Sequence, residues 1–392
     1  MIPLMKSAFL NEHKTKSELA NFILQAKRLS MDEQCMRFEE EFAAFQGNQE
    51  AVLLSSGSSA NLAMFQAMKN LGWIKNGDKV GFSALTWSTN VMPIIQLGLE
   101  PIPIDCEPET LNVMSYNLLD RLKTEPLRML FVTNALGFCG DLDKIRDICK
   151  EKDILLIEDN CEGLGTELTA GDKTGNYGIM SSYSFFVAHH MSTIEGGMVC
   201  TDHAELAEML RIVRANGWDR NLNAAQQRKW RRKNNILSEF QAKYTFYDLG
   251  YNLRPTEITA FIGRGQLKYL ADNIKARERN YLLLEETVKT NPDLINFKRD
   301  HIKVLSSFAY PVLCQNADIR GKYLDQFAGA GVEIRPMIAG NIQKQPFYQK
   351  YMSKEYPLPG ADKVHECGFY CGNYPELSRQ DIEILRSCVT KY

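Results

Sequence analysis

The stretch Ala51-Val-Leu-Leu-Ser-Ser-Gly-Ser-Ser-Ala-Asn61 joins a short apolar run to a turn rich in serine and glycine, and a helical pattern follows. Gly57 permits a tight turn, and the next backbone N–H groups then lie at a helix N-terminus. Such N–H groups bind phosphate well, and the hydroxyls of Ser58 and Ser59 would add donors. An ordinary serine-rich helix cap would have the same composition, so the turn alone leaves both interpretations open.

Apolar runs like this one recur along the chain, separated by amphipathic helical stretches. They are Ala51–Leu54, Val80–Phe82, Pro101–Asp105, Met129–Thr133, Ile154–Ile157, Ser182–Phe186 and Gly197–Cys200. Strands alternating with helices predict an α/β fold, with a mixed, mostly parallel sheet covered on both faces. In such sheets the chemistry lies beyond the carboxyl ends of the strands.

The pattern changes after about Gln266, where a long charged helical stretch from Leu267 to about Lys289 begins. The apolar runs Phe308–Cys314 and Gly331–Arg335 follow it. We therefore predict a large domain over residues 1–265 and a smaller α+β domain over residues 266–392.

Composition excludes several classes of function. The net charge of −2 over 392 residues gives no electrostatic case for nucleic acid or an anionic membrane surface. No apolar run approaches a membrane span, and no secretory signal is apparent near Met1. Ten cysteines in such a chain indicate reduced thiols and a cytoplasmic protein. Cys367 and Cys371 have no neighbouring ligands that would complete a zinc set, so we predict no metal site.

Polar and aromatic side chains follow several of the predicted strands. Trp87 could stack on a flat heterocycle or lie in the core. Asp159 and Glu162 come just after the run Ile154–Ile157, where a carboxylate needs a positive or hydrogen-bonding partner. A protonated pyridine nitrogen would suit Asp159, although capping of the next helix would also explain a carboxylate there.

The segment Ser182-Tyr-Ser-Phe-Phe-Val-Ala-His-His-Met-Ser-Thr-Ile-Glu-Gly-Gly197 places two adjacent histidines between two apolar runs. Together with the turn at Gly57, Trp87, Glu158-Asp-Asn-Cys-Glu162 and Gly250-Tyr-Asn-Leu-Arg-Pro255, it resembles the DegT/DnrJ/EryC1/StrS-type sugar aminotransferases and dehydratases. These are fold-type I enzymes of pyridoxal 5′-phosphate (PLP), similar in fold to aspartate aminotransferase. The resemblance runs from about Met31 to Asn341. It places His189 where most members carry the cofactor-binding lysine, a feature of a subgroup of 3-dehydratases that act on nucleotide-linked 4-keto-6-deoxysugars.

The resemblance implies roles for individual residues. Trp87 would stack on the cofactor ring, Asp159 would pair with its pyridine nitrogen, and Glu162 would lie near its hydroxyl. Glu162 stands where the aminotransferases usually have glutamine. The other implied contacts are those of Gly57, Ser58 and Ser184 with the phosphate, of Asn252 with the phosphate from the partner subunit of a homodimer, and of Arg254 and, more weakly, Arg220 with bound substrate carboxylate.

A histidine in place of the lysine changes the implied reaction. Imidazole cannot hold PLP covalently, but its unperturbed pKa of about 6.5 allows it to move protons. The resemblance therefore implies non-covalent PLP and pyridoxamine 5′-phosphate (PMP), with L-glutamate as amino donor. The implied activity removes the C3 hydroxyl of a nucleotide sugar, with GDP-4-keto-6-deoxymannose favoured, and releases ammonia. Such an enzyme would serve deoxysugar synthesis for lipopolysaccharide O-antigen, as in the colitose pathway.

Three other interpretations stay open at this point. The first is an iron–sulfur 3-dehydrase, although the chain has no Cys-x-Cys pair. The second is an ordinary sugar aminotransferase, and the third is a PLP-binding homologue without catalytic activity. Asn216 departs from the histidine of the dehydratases that the chain resembles. The basic stretch Arg228–Lys233 is interpreted as a solvated loop or, alternatively, as a contact for a nucleotide diphosphate.

Overall fold

A computed structural model describes residues 1–391. Its strands are β1 (Glu50–Leu54), β2 (Lys79–Ser83), β3 (Glu100–Ile104), β4 (Met129–Thr133), β5 (Leu155–Asp159), β6 (Glu167–Leu168), β7 (Met180–Ser184), β8 (Gly197–Thr201), β9 (Ile302–Val304), β10 (Ala309–Leu313), β11 (Ile334–Pro336) and β12 (Gly368–Gly372). All seven apolar runs of the first half coincide with strands, displaced by at most two residues at their ends. They are short and largely buried, as strands of a covered sheet must be.

Six of the fifteen helices in residues 1–391 begin after a residue whose side chain accepts from a helix N–H group. The helices are α1 (Glu12–Gln25), α2 (Glu33–Gln46), α3 (Gly57–Asn70), α4 (Met92–Gln96), α5 (Ser115–Leu122), α6 (Leu142–Glu151), α7 (Ala204–Arg214), α8 (Ala224–Lys233), α9 (Glu239–Ala242), α10 (Glu257–Leu267), α11 (Leu270–Val288), α12 (Ala317–Gly329), α13 (Pro346–Tyr351), α14 (Pro359–Cys367) and α15 (Arg379–Cys388). Short 3₁₀ turns lie at Ser88–Asn90, Ala135–Gly137 and Ile342–Lys344.

Seven strands form the central sheet in the order β1-β8-β7-β5-β4-β2-β3. Neighbours from β3 to β7 are parallel, whereas β8 pairs antiparallel with both β7 and β1. The carboxyl ends of β1, β5 and β7 therefore meet at one edge, where β8 begins. Gly197 is paired there with both Leu54 and Ser184.

Helix α3 crosses one face of this sheet and packs against β7, β8 and α7. Its Phe65 meets Phe131 of β4 edge to face, with ring centroids 5.5 Å apart. The buried side chains of α3 and the sheet fix the direction of the helix. Its N-terminus is thereby directed at the edge where the strands end.

The C-terminal region contains a second sheet of three strands in the order β10-β12-β11. Residues near the N-terminus bond to the segment just before β11, since Ile2 forms an isolated parallel bridge with Val332 and Leu4 N–H donates to the Glu333 carboxylate at 3.0 Å. The division at residues 265 and 266 remains a prediction.

One local interpretation was wrong. The basic stretch Arg228–Lys233 is not a loop but the second half of α8. Arg231 forms ion pairs with Asp219 at 2.8 Å and Glu239 at 2.9 Å, and Lys229 pairs with Glu208 at 3.0 Å. These partners lie 8 to 21 residues away in sequence, so the sequence pattern alone did not reveal them.

Within residues 1–391, no helix is long and apolar enough to cross a bilayer. The same residues contain no group of three or more histidine, cysteine or acidic side chains arranged to hold a metal ion.

Candidate cofactor site

The turn at Gly57 lies directly against the end of β7. Ser56 caps α3, its hydroxyl accepting from Ser59 N–H at 3.1 Å while Ser59 Oγ accepts from Ser56 N–H at 2.9 Å. A Cβ atom on Gly57 would lie 2.6 Å from Cβ of Ser184, closer than real atoms approach. Glycine is therefore required here, and it brings the first turn of α3 onto the Ser184 hydroxyl. Ser58 is exposed at the same helix end.

Asp159 ends β5 with its carboxylate buried and held from three sides. Oδ2 accepts from the amide of Asn90 at 2.6 Å and from that of Asn61 at 3.2 Å, and Oδ1 accepts from Cys161 N–H at 2.8 Å. Asn61 is itself oriented by Ser182, whose hydroxyl donates to it at 2.6 Å. Neutral donors satisfy the carboxylate without a counter-charge, so its charge is available to a cationic ligand.

The neighbouring glutamates differ in role. Glu158 is fully buried and accepts backbone N–H groups of Gly175, Tyr177 and Gly178, each at 2.8 Å, which makes it part of the fold. Glu162 is partly buried and accepts from Leu136 N–H at 2.8 Å. Burial raises the pKa of the Glu162 carboxyl to about 8, and the nearby charge of Asp159 adds to the rise. Glu162 is therefore largely protonated at neutral pH.

Trp87 is 56% exposed and thus not a core residue. It precedes the 3₁₀ turn that carries Asn90. The turn is braced by the C-terminal region, where Ile342 N–H donates to Ala84 carbonyl at 3.0 Å and Asn341 forms a bridge with Leu85. A large ring held at the surface beside Asn90 and Asp159 is suited to stacking on a ligand.

His189 and His190 lie in the loop between β7 and β8. His190 is buried, and its Nε2–H donates to Ser306 carbonyl at 2.9 Å, which fixes the loop from one side. The ring of His189 contacts that of Phe308, with centroids 5.3 Å apart, and its Nδ1 makes no hydrogen bond. Burial lowers the pKa of His189 to about 4, with a further contribution from the positive charge of Arg277.

Phe308 connects the histidine to the carboxyl groups. Its N–H donates to Leu136 carbonyl at 3.0 Å, and Leu136 N–H in turn donates to Glu162. His189 therefore lies on the same side of the sheet edge as Glu162 and Asp159. A carboxylate at the end of β5, a protonated carboxyl just after it and a neutral imidazole in the loop after β7 thus lie beyond the carboxyl ends of these two strands.

Asn252, Arg254 and Arg220 lie elsewhere on the surface. They line a cavity of about 1470 Å³ between α2, α7 and the 218–256 segment. Gly57, Trp87, Asp159 and His189 do not line it. Arg254 donates to Asn252 at 3.0 Å. Arg220 lies over the ring of Trp218, 3.9 Å from its centroid, and donates to Lys243 carbonyl at 2.9 Å. Within one chain, these three residues are not brought to His189.

The chain matches the model of the DegT/DnrJ/EryC1/StrS aminotransferase family over residues 11–390. It belongs to that family. It is 33% identical over 370 residues to GDP-4-keto-6-deoxy-D-mannose 3-dehydratase of Yersinia pseudotuberculosis, and the aligned residues cover 91% of each chain.

Two crystal structures of GDP-4-keto-6-deoxymannose-3-dehydratase are 29% identical to the chain over the whole of both chains. One contains a trapped PLP–glutamate geminal diamine and has a TM-score of 0.90. The other is a histidine-to-asparagine variant with bound GDP-perosamine and has a TM-score of 0.89. The predicted α/β, fold-type I architecture is thereby confirmed.

The residues of this family member fit the cofactor that its fold implies. Gly57 and Ser184 meet too closely for any side chain between them, which leaves helix N–H groups and hydroxyls for a phosphate. Asp159 offers a satisfied but unneutralised carboxylate, and Trp87 offers an exposed ring face. His189 Nδ1 is a buried polar atom without a partner, as expected of a group that acts on a ligand.

Sequence reasoning did not identify the residues that orient this family member's site. Asn61 and Asn90 both lie in segments that follow strands. This position is the only feature of the sequence that indicates a role for them in the site. Arg277, Ser306 and Phe308 lie 83 or more residues from the histidines that they support. No local pattern relates them to the site.

Proposed function

We propose that this chain is a PLP- and PMP-dependent lyase that removes the C3 hydroxyl of a nucleotide-linked 4-keto-6-deoxysugar and releases ammonia. The observation that carries the proposal is His189, an imidazole in place of the family's lysine beside an otherwise intact cofactor site. The name of the Yersinia relative supports GDP-4-keto-6-deoxymannose as the sugar nucleotide. The PLP–glutamate adduct in the similar crystal structure supports L-glutamate as the amino donor.

Each part of the site has a chemical role in this proposal. Gly57, Ser58 and Ser184 bind the cofactor phosphate, Trp87 stacks on the ring and Asp159 pairs with the pyridine nitrogen. When bound, the cofactor supplies an electron sink for the bond changes at the sugar. Asn61 and Asn90 keep the Asp159 carboxylate in one orientation, which maintains that capacity.

His189 has the properties of a proton carrier. Its pKa of about 4 leaves the ring neutral at neutral pH, so one of its two ring nitrogens is unprotonated and can accept a proton. The imidazole has no primary amine, so it cannot hold the cofactor covalently or displace a product from it. This chemistry favours loss of the C3 hydroxyl over stable transfer of an amino group.

Glu162 replaces the glutamine of related aminotransferases without loss of a donor. Because its pKa is about 8, the carboxyl carries a proton at neutral pH and can donate to an oxygen as a glutamine amide does. We assign this proton to the ring hydroxyl side of the cofactor.

Asn252, Arg254 and Arg220 fit the proposal through a homodimer. Asn252 and Arg254 are exposed and flank Leu253, whose carbonyl oxygen accepts from Ser55 N–H at 3.0 Å. In such a dimer, Asn252 of one subunit would contact the cofactor phosphate of the other. Arg254, with Arg220 as a weaker candidate, would contact a substrate carboxylate there.

The ten free cysteines fit a protein of the reducing cytoplasm.

The test is incubation of the PLP-loaded protein with L-glutamate and a panel of nucleotide 4-keto-6-deoxysugars. We expect 2-oxoglutarate, ammonia and a 3-deoxy-4-keto product, with the GDP sugar turned over best. A stable amino sugar without ammonia would identify an aminotransferase. A cofactor spectrum that never shifts with glutamate would identify a binding protein, and visible iron–sulfur charge-transfer bands would identify the other dehydrase class.

A further inference from the structure

Arg277 of α11 is a buried cation beside the histidine loop. Its side chain is 3% exposed, and Nη1 donates to the carbonyl oxygens of Phe308 at 2.7 Å, Ser307 at 3.4 Å and Asn373. Nε donates to the side-chain oxygen of Asn273 at 2.8 Å. A guanidinium removed from water and bound to neutral oxygens is costly, and such a group calls for a specific function.

The contacts of Arg277 reach His189 by two routes. One passes through Phe308, whose carbonyl accepts from Arg277 and whose ring contacts the imidazole of His189. The other passes through Asn273, whose amide donates to the carbonyl of His190, the next residue in the loop. One side chain thus holds both the aromatic wall and the backbone next to His189.

We propose that Arg277 is a positioning residue for His189, holding the imidazole between Phe308 and the His190 backbone through one buried guanidinium. The proposal rests on the proposed function, in which His189 moves the proton. It adds a residue on another element that sets where the imidazole stands.

The charge of Arg277 has a second effect. The charged or titratable groups that act on the two histidines are Arg277 on α11 and the neighbouring imidazole of the same loop. After burial, the positive charge of Arg277 is the next cause that lowers the pKa of His189 and of His190. Arg277 is itself influenced by the more distant Glu376, which opposes the effect of burial on the pKa of Arg277. The fixed cation therefore keeps the imidazole in the form that can accept a proton.

The experiment is a histidine titration by NMR on the cofactor-free protein labelled with ¹³C-histidine, with the His189 signal assigned from its absence in His189→Asn. In the unaltered protein we expect a midpoint near 4. Arg277→Gln should raise it by about one pH unit, because a like charge is removed. Arg277→Lys retains a charge and should stay near the unaltered value. Asn273→Ala retains the guanidinium and should leave the midpoint unchanged.

Kinetics of the loaded enzyme then separate positioning from charge. Asn273→Ala should lower kcat for ammonia release roughly tenfold with little change in KM. Asn291→Ala is the matched control, since Asn291 is a buried asparagine that bonds Tyr323 and Val389 in the C-terminal region. It should lower only the melting temperature.

An unchanged midpoint in Arg277→Gln, or an equal rise in Arg277→Lys, would overturn the charge effect. An unchanged kcat in Asn273→Ala would overturn the positioning role. If Arg277→Gln fails to fold, the lysine and Asn273 variants still decide. The titration needs neither cofactor nor sugar, so a failed dehydratase assay with shifted midpoints would reject the proposed function alone.

Discussion

The side-chain amide of Asn90 donates to Oδ2 of Asp159 over 2.6 Å, which joins the turn after β2 to the end of β5 across the intervening strand β4. Thr133 at the end of β4 accepts from the same amide at 3.2 Å. The Asp159 carboxylate, which we propose to bind the pyridine nitrogen, is therefore oriented by Asn90. Asn90 lies in the 3₁₀ turn that directly follows Trp87. Ring stacking and nitrogen binding depend on one hydrogen-bonded unit.

Replacing Asn90 by alanine should weaken PMP binding and lower turnover. The loss of a hydrogen bond to a charged group corresponds to about 1.5–3 kcal/mol, so PMP affinity should fall at least tenfold. Cofactor binding measured by fluorescence and ammonia release test this. Asn48→Ala is the control, since its amide makes only a long, exposed contact with Asp202 at 3.4 Å. Equal affinity in both variants would contradict the role of Asn90.

Gly57→Ala should close the phosphate site. The new methyl group would meet Ser184 Cβ at 2.6 Å and Cys161 Sγ at 3.0 Å, and such overpacking costs about 1–3 kcal/mol. We expect a lower melting temperature and a larger loss of PLP affinity.

The matched change is Gly265→Ala in α10, where nothing lies within 4 Å of the added carbon. That variant should be as stable as the unaltered protein or more so, because alanine favours helix. A Gly57→Ala protein with full PLP affinity would show that the phosphate binds elsewhere.

His189→Asn should bind PMP with near-normal affinity and lose turnover by a factor of about 100 or more, because the amide cannot take up and release the proton as imidazole does. Single-turnover release of ammonia measures the effect. His203→Asn, which alters an exposed histidine packed on Trp73, should leave the rate unchanged. Undiminished turnover in His189→Asn would remove His189 from the mechanism.

The affinity for the cofactor should depend on pH through the protonation of Glu162. Its pKa of about 8 lies above the ordinary carboxyl value of 4.5, so the folded carboxyl keeps its proton up to about pH 8 and loses it above. The donor to the cofactor is thus present at neutral pH and lost as pH rises through 8. PMP affinity should fall between pH 7 and 9 in the unaltered protein and less in Glu162→Gln, which keeps a donor at all pH values.

The titration of PMP itself is common to both proteins, so their difference isolates Glu162. Glu355→Gln, in an exposed loop, should follow the unaltered profile. Parallel profiles for the unaltered protein and Glu162→Gln would show that the carboxyl proton does not contact the cofactor.

The sequence predicted the strands and the residues at their ends well, because both follow from local rules. A buried parallel strand is a short apolar run, and its carboxyl end bears polar groups such as Ser184 and Asp159. The partners of these groups were not predictable, since Asn90 reaches Asp159 over 69 residues of chain. Strands β6, β9 and β12 were missed as well, and β6 and β9 are too short to show a period.

Charge patterns gave the least reliable inference. The stretch Arg228–Lys233 has the composition of a solvated loop, but its structure depends on Asp219, Glu208 and Glu239, which pair with its cations. The Asn223 cap at the start of α8 was the available signal, and it lies before the basic run.

The bridge between Ile2 and Val332 has a consequence for synthesis of the protein. Residues 2–4 leave the ribosome long before residues 331–333, yet the two segments are hydrogen-bonded to each other in the folded protein. This part of the structure cannot assemble while translation is still in its middle stages. The segment at Ile2 cannot form its native contacts until the chain around Val332 has left the ribosome. These contacts are therefore among the last to form.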